Sequence, residues 1–242
     1  MLRLCFFVIF ITVQSVAVEQ DHNKNLDDRT IFRDPHHQFK MEQEIVHHRV
    51  PRGVIWDKKN RWPSSTIPYE ISSKISKPTR DEIKRGIALL ESKTCLKFKQ
   101  RTGGCREKRF LSFLFGTKPC MPEDYIFFQD DDRDCYADIG RRGGKQIINV
   151  GDCSEAVFLI IHEIMHALGF AHEHQRMDRD EYIEVRYNNL IARYKSEFDK
   201  LDSDTMGIPY DFYSVMHYDS YSWSKDGNKP VLVPKVSIDK VT

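Results

Sequence analysis

Three histidines stand at a spacing that could hold one metal ion. Residues 156–176 read Ala-Val-Phe-Leu-Ile-Ile-His-Glu-Ile-Met-His-Ala-Leu-Gly-Phe-Ala-His-Glu-His-Gln-Arg. The apolar run before His162 predicts a buried helix, and His162 and His166, four residues apart, would project from one face of it. Gly169 can adopt the left-handed conformation that ends a helix. The chain can then reverse and bring His172 back to the pair, which predicts a three-histidine site.

The residue types at this site favour catalytic zinc, one ion per chain. Three neutral imidazoles suit zinc, and three protein ligands leave the fourth position open to water, as in catalytic sites. Glu163 is badly placed to bind the ion as well, but it can reach a metal-bound water as general base. A lone His-Glu-x-x-His pair occurs by chance on surface helices, whereas this one continues to a glycine and a third histidine inside an apolar helix.

The elements that must position these residues follow from local patterns. Alternating side chains predict a strand over 66–71, and a polar cap followed by apolar residues at helical spacing predicts a helix over 79–92. Further strands are expected near 96–98, 125–128 and 146–150. Between two of them, residues 101–122 form a glycine-containing insertion that carries Cys105 and Cys120.

Length and charge exclude several classes of protein. The 242 residues allow one large domain or two small lobes. With 37 basic against 36 acidic residues the net charge is +1, which gives no electrostatic reason to expect a nucleic-acid partner. No run of eighteen apolar residues exists, so we expect no membrane-spanning helix.

The N-terminal region is typical of a secreted protein. Residues 1–17 have a basic start, an apolar core and a small-residue cleavage site, as in a secretory signal peptide; a buried N-terminal strand or a short anchor is the alternative. Residues 18–52 are polar and aperiodic and cannot bury much surface. They suit a propeptide that a trypsin-like protease removes at Arg49 or Arg52, or else a flexible arm that stays attached. We therefore expect an extracellular protein.

A second motif, Tyr213-Ser214-Val215-Met216-His217-Tyr218, resembles the Met-turn of the metzincin clan. Within that clan the chain is similar to the astacin metallopeptidases. Residues 172–180 look like the astacin run His-Glu-x-x-Arg-x-Asp-Arg-Asp, and residues 214–218 look like its Ser-x-Met-His-Tyr. Residues 62–69, 94–98 and 135–146 resemble further blocks of the family, so the resemblance covers roughly residues 53–234.

The resemblance implies an α+β, zincin-like domain over residues 53–242. An N-terminal lobe to about Gly169 would hold a twisted mixed sheet, a backing helix and the active-site helix. A smaller, irregular C-terminal lobe from about Phe170 would carry the Met-turn. A peptide or protein substrate would lie in the extended cleft between the lobes, pairing with an edge strand just after Cys135.

The resemblance to the astacin family also implies roles for single residues. His162, His166 and His172 would bind zinc, with Glu163 as base and Met216 beneath the metal. Tyr218 would be an extra, displaceable ligand that swings away to stabilise the oxyanion; a core tyrosine is the alternative. Glu173 would contact the new N-terminus, and family spacing places that terminus at Gly53, favouring cleavage after Arg52.

The sequence departs from the family in two places. The inhibitory propeptide motif Phe-x-Gly-Asp is missing; Phe39-Lys40-Met41-Glu42 and Ile31-Phe32-Arg33-Asp34 come nearest, and residues 18–52 hold no cysteine for a cysteine switch. Family members continue beyond the position of Thr242 with a further helix and a cysteine. That cysteine pairs with the one that corresponds to Cys95. By resemblance we expect the pairs Cys135–Cys153 and Cys105–Cys120, with Cys95 left as a free thiol or as the link of a dimer.

Two functions are compatible with these observations. The first is a secreted zinc endopeptidase that is made as a latent proenzyme. The second is a secreted, non-catalytic, protease-like binding protein that is impaired by the short C-terminus. The complete zinc motif favours the first, because the chemistry belongs to the site and not to the fold.

Overall fold

The computed structural model describes residues 60–101, 124–154, 156–203, 205 and 207–235. The expected signal peptide, propeptide, cleavage site at Arg52 and Gly53, and the pair Cys105 and Cys120, lie outside these residues. Within the described ranges, no helix is both long and apolar enough to cross a membrane.

A mixed sheet is the framework of the N-terminal lobe. Its strands in the described part of the chain are β1 (Thr66–Ile71), β2 (Lys97–Gln100), β3 (Tyr125–Gln129), β4 (Cys135–Ala137) and β5 (Lys145–Val150), in the spatial order β2-β1-β3-β5-β4. Neighbouring strands run parallel except β4, which is antiparallel to β5. Strand β4 therefore lies at one edge of the sheet, where the sequence placed the substrate-binding strand.

Two helices pack together in this lobe. Helix α1 spans Lys77–Lys93 and begins after Ser76, whose hydroxyl accepts the Thr79 N–H at 3.3 Å. Helix α2 spans Val157–Leu168, and all but two of its residues are buried. Gly86 lies where the helices meet, because a Cβ atom there would be in ordinary van der Waals contact with the Ile161 side chain, at 3.4 Å. Helix α1 thus backs the helix that carries the first two histidines.

The C-terminal lobe is small and irregular. Among the described residues it contains the two-stranded sheet of β6 (Ile183–Val185) and β7 (Leu232–Pro234) and the short 3-10 helices Glu173–Gln175, Arg179–Glu181 and Ala192–Phe198. Its buried apolar side chains form a cluster separate from that of the first lobe, while Met216 packs into the first cluster. The expected α+β, two-lobed architecture is confirmed.

The disulfide bonding of the described cysteines agrees with one prediction and contradicts another. Cys135 and Cys153 form a disulfide, with Cα atoms 5.8 Å apart, which ties edge strand β4 to the turn before α2. Cys95 is also disulfide-bonded, with a partner outside the described residues. The expectation of a free thiol at Cys95 is therefore wrong. It rested on the family resemblance, in which the partner of Cys95 lies beyond Thr242, and spacing alone does not determine which cysteines meet.

Candidate metal centre

Helix α2 ends where the chain must turn back towards the metal centre. Gly169 has φ +112° and ψ +12°, a left-handed conformation that costs a residue with a Cβ atom far more. The N–H groups of Gly169 and Phe170 donate to the carbonyls of His166 and Met165 at 2.8 and 3.0 Å. The Trp62 indole N–H donates to the Ala167 carbonyl at 2.9 Å. The end of the helix is thus satisfied and its direction of exit is set.

This turn brings the three predicted ligands together. The ligand nitrogens of His162, His166 and His172 all lie within 4.8 Å of one another, and the three side chains are buried. The Nε2 atoms of His162 and His172 are 3.2 Å apart. Two nitrogens that each lie about 2.0–2.1 Å from a tetrahedral zinc ion would be roughly 3.3 Å apart, so this spacing fits the metal.

Backbone carbonyls determine which nitrogen of each helical histidine faces the centre. His162 Nδ1 lies 2.8 Å from the Val215 carbonyl, and His166 Nδ1 lies 2.8 Å from the Phe170 carbonyl. A carbonyl can only accept, so each Nδ1 carries a hydrogen, and in the neutral ring that binds a metal each Nε2 presents its lone pair. Lone pairs that converge in a buried site need a cation between them. These residues therefore fit zinc by geometry and by tautomer.

Glu163 lies beside the start of edge strand β4. Its side chain is buried, and its Oε1 atom is 3.6 Å from Cys135 Sγ at the start of β4. The carboxylate therefore lies next to the edge strand along which a peptide could bind, and Glu163 directly follows His162 in the chain. This position suits a base that acts on water beside the substrate.

The Met-turn is hydrogen-bonded to His162 and to the residue that follows His172. The His217 N–H donates to the Ser214 carbonyl at 2.9 Å, which closes the turn around buried Met216. The Glu173 N–H donates to the Met216 carbonyl at 2.8 Å, and the neighbouring Val215 carbonyl holds His162. The turn thus orients one ligand and anchors the segment that follows another. Sequence reasoning did not find the part played by the Val215 carbonyl, because a backbone atom leaves no mark in a motif.

Tyr218 is brought to the same centre and is almost fully buried, at 1% exposure. Its ring centroid lies 4.5 Å from that of His172 and 4.1 Å from that of His174, with the His174 ring stacked on it. Burial lowers the pKa of His174 well below the usual range, so this ring is neutral and packs against Tyr218 as an uncharged aromatic group. The sequence analysis gave His174 no role.

Glu173 belongs to a buried ionic cluster. Its Oε1 atom accepts from Arg176 Nη1 at 2.7 Å and from the Asp211 N–H at 3.0 Å. Burial raises the pKa of Glu173 to about 7, although the Arg176 guanidinium and the Asp211 N–H both favour the ionised form. Arg176 also forms a bidentate pair with Asp178, at 2.9 and 2.7 Å. The expected contact of Glu173 with Gly53 involves a residue outside the described ranges.

Known proteins share the sequence motifs and the architecture of this chain. The profile of Astacin, peptidase family M12 (subfamily A), matches residues 54–241. The chain belongs to the astacin family. It is 35% identical over 195 residues to zinc metalloproteinase nas-8 of Steinernema carpocapsae, covering 79% of this chain and 42% of that protein. It is 37% identical over 188 residues to zinc metalloproteinase nas-13 of Caenorhabditis elegans, covering 76% and 38%.

A solved structure shares the astacin architecture. High choriolytic enzyme 1, a hatching enzyme zinc-protease from the medaka fish Oryzias latipes, has a TM-score of 0.65 and 28% identity, over 77% of this chain and 87% of that one. The chain spans about half or less of the length of the curated relatives nas-8, nas-13 and nas-4, namely 42%, 38% and 55%.

Proposed function

We propose that this protein is a secreted zinc-dependent endopeptidase that is made as a latent proenzyme. The observation that carries the proposal is the convergence of three buried histidines beside Glu163, with Nε2 of His162 and of His172 only 3.2 Å apart. Membership of the astacin family supports the reaction class. The Cys135–Cys153 disulfide supports secretion, because structural disulfides persist in oxidising compartments.

The residues have distinct tasks in this proposal. When bound to the three histidines, zinc would supply Lewis acidity, which polarises the scissile carbonyl and makes water easier to deprotonate. Glu163 takes the proton of the attacking water and returns it to the departing amine, as a general base and then a general acid. Tyr218 donates a hydrogen bond to the oxygen on which negative charge develops.

An extended peptide is the substrate class that the fold accommodates. Within the described residues, strand β4 pairs with β5 along one side only, and its start at Cys135 lies beside the Glu163 carboxylate. A peptide that adds to the open side of β4 would place its backbone across the metal centre. Backbone pairing is independent of side-chain identity, so this arrangement suits cleavage within a protein chain.

Removal of the metal should abolish hydrolysis reversibly. A chelator should eliminate cleavage of a denatured protein substrate, and one equivalent of zinc should restore it, because three ligands define one site. Zinc should also raise the melting temperature, since it binds the folded state. His166→Ala should lose both effects. Zinc binding without any hydrolysis would instead support the non-catalytic binding protein.

Activation should require cleavage after Arg52. We expect the chain with residues 18–52 attached to be latent, and trypsin-like cleavage to release an active form that begins at Gly53. The new ammonium group could then approach Glu173, a charge-assisted contact in a buried site. Arg52→Gln should block activation, while Arg49→Gln should not. N-terminal sequencing that finds Val50 as the first residue, or full activity of the uncut chain, would contradict this.

A further inference from the structure

The main chain of Tyr218 is held by the side chain of its neighbour. His217 Nδ1 lies 2.6 Å from the Tyr218 carbonyl, and the His217 ring is buried. A carbonyl oxygen can only accept, so Nδ1 must carry a hydrogen. His217 thus fixes the backbone from which the Tyr218 ring extends towards His172, its neighbour at a centroid distance of 4.5 Å.

A second tyrosine occupies the other nitrogen of this ring. The Tyr210 hydroxyl lies 2.7 Å from His217 Nε2, and both groups are buried. In the neutral ring with its hydrogen on Nδ1, Nε2 is an acceptor, so Tyr210 is the donor. Burial raises the pKa of Tyr210 above the usual tyrosine range, which keeps its phenol protonated and able to donate.

Tyr210 is itself fixed by its surroundings. Its ring stacks on Tyr182 with a centroid distance of 4.7 Å and an interplanar angle of 10°. The Arg176 guanidinium lies 5.3 Å from the Tyr210 centroid and donates to the carbonyls of Ile208 and Pro209 at 3.0 and 3.2 Å. The position of the hydroxyl that meets His217 is therefore fixed by contacts to its ring and by hydrogen bonds to the backbone that precedes it.

We propose that Tyr210 and His217 are positioning residues for Tyr218. The Tyr210 hydroxyl stabilises the tautomer of His217 that donates to the Tyr218 carbonyl, and this bond determines where the Tyr218 hydroxyl points. The ring of Tyr218 packs against His172 and His174, and its backbone anchor further restricts where its hydroxyl can reach. The inference rests on the proposed peptidase function and on Tyr218 as an oxyanion donor.

Tyr210→Phe removes one hydroxyl and keeps the ring. In the zinc-loaded, activated protein we expect kcat to fall by about 10–100-fold, as is typical when a supporting partner of a site residue is lost. KM and zinc content should stay unchanged, because Tyr210 is buried and its contacts with other rings among the described residues are with Tyr182, Phe212 and His217. Tyr182→Phe is the matched control from the same stack and should keep wild-type kcat. Equal losses in the two variants would overturn the proposal.

Combining variants tests whether Tyr210 acts through Tyr218. Tyr210→Phe should reduce kcat strongly in the wild-type background and hardly at all in a Tyr218→Phe background, since residues that act as a unit are not additive. Losses that multiply in the double variant would show that Tyr210 supports only the fold. His217→Asn, which keeps a donor near the position of Nδ1, should retain more kcat than His217→Leu; the reverse order would also overturn the proposal.

Nitrogen-15 NMR of the His217 ring gives a readout that needs no hydrolysis. We expect the neutral tautomer with its hydrogen on Nδ1 in the zinc-loaded protein. A hydrogen on Nε2, or on both nitrogens, would overturn the positioning role even if the enzyme is active. Failure of wild-type hydrolysis would instead refute the proposed function, and the NMR result would still decide the hydrogen-bond assignment.

Discussion

Replacement of Glu163 by glutamine should remove most peptide hydrolysis while zinc remains bound. The amide cannot accept a proton from water, and a general base contributes about 10²–10⁴-fold to such reactions. Zinc should stay, because His162 and His166 keep their carbonyl partners and Glu163 is not needed as a ligand. The measurements are kcat/KM on a peptide substrate and zinc content per chain.

A surface variant provides the control for this experiment. Glu184 on β6 has a side chain that is 54% exposed and lies 3.5 Å from Arg186, so Glu184→Gln makes the same chemical change away from the site. It should retain wild-type kcat/KM and melting temperature, since exposed ion pairs contribute little to stability. Substantial hydrolysis by zinc-loaded Glu163→Gln protein would refute the assignment of the base.

Replacement of Tyr218 by phenylalanine should lower kcat by about 10²–10³-fold, the effect of losing one oxyanion donor. KM should change much less, because the hydroxyl would act on charge that develops only in the transition state. Phenylalanine keeps the ring that stacks on His174, so the buried packing is preserved. Steady-state kinetics and thermal unfolding of the same zinc-loaded sample separate the two roles.

The alternative for Tyr218 has a different signature. If this tyrosine only fills the core, Tyr218→Phe should leave kcat at the wild-type value and alter the melting temperature alone. Tyr182→Phe is again a suitable comparison, because Tyr182 packs in the same lobe and its described ring contacts are with Tyr210 and Phe212. A kcat loss shared by both variants would point to general destabilisation of the lobe.

Local patterns predicted the elements that local forces determine. The strand expected over 66–71 is β1, and the helix expected over 79–92 is α1, which begins earlier because Ser76 caps it. The end of α2 at Gly169 was also predictable, because a single residue type tolerates the left-handed turn without cost. Each of these features depends on residues within a few positions of one another.

The sequence by itself determined the family and the fold class, through motifs that resemble a known family. It also determined the set of histidines that could share a metal, since four-residue spacing on a helix and a glycine turn are local properties. Only the tertiary structure decided how those histidines are oriented. The Val215 carbonyl that sets the tautomer of His162 is 53 residues away along the chain, and no motif records a backbone oxygen. The tertiary structure also showed that Cys95 is disulfide-bonded and that the Tyr210 hydroxyl reaches His217. Such contacts depend on how separate segments pack, which spacing along the chain does not specify.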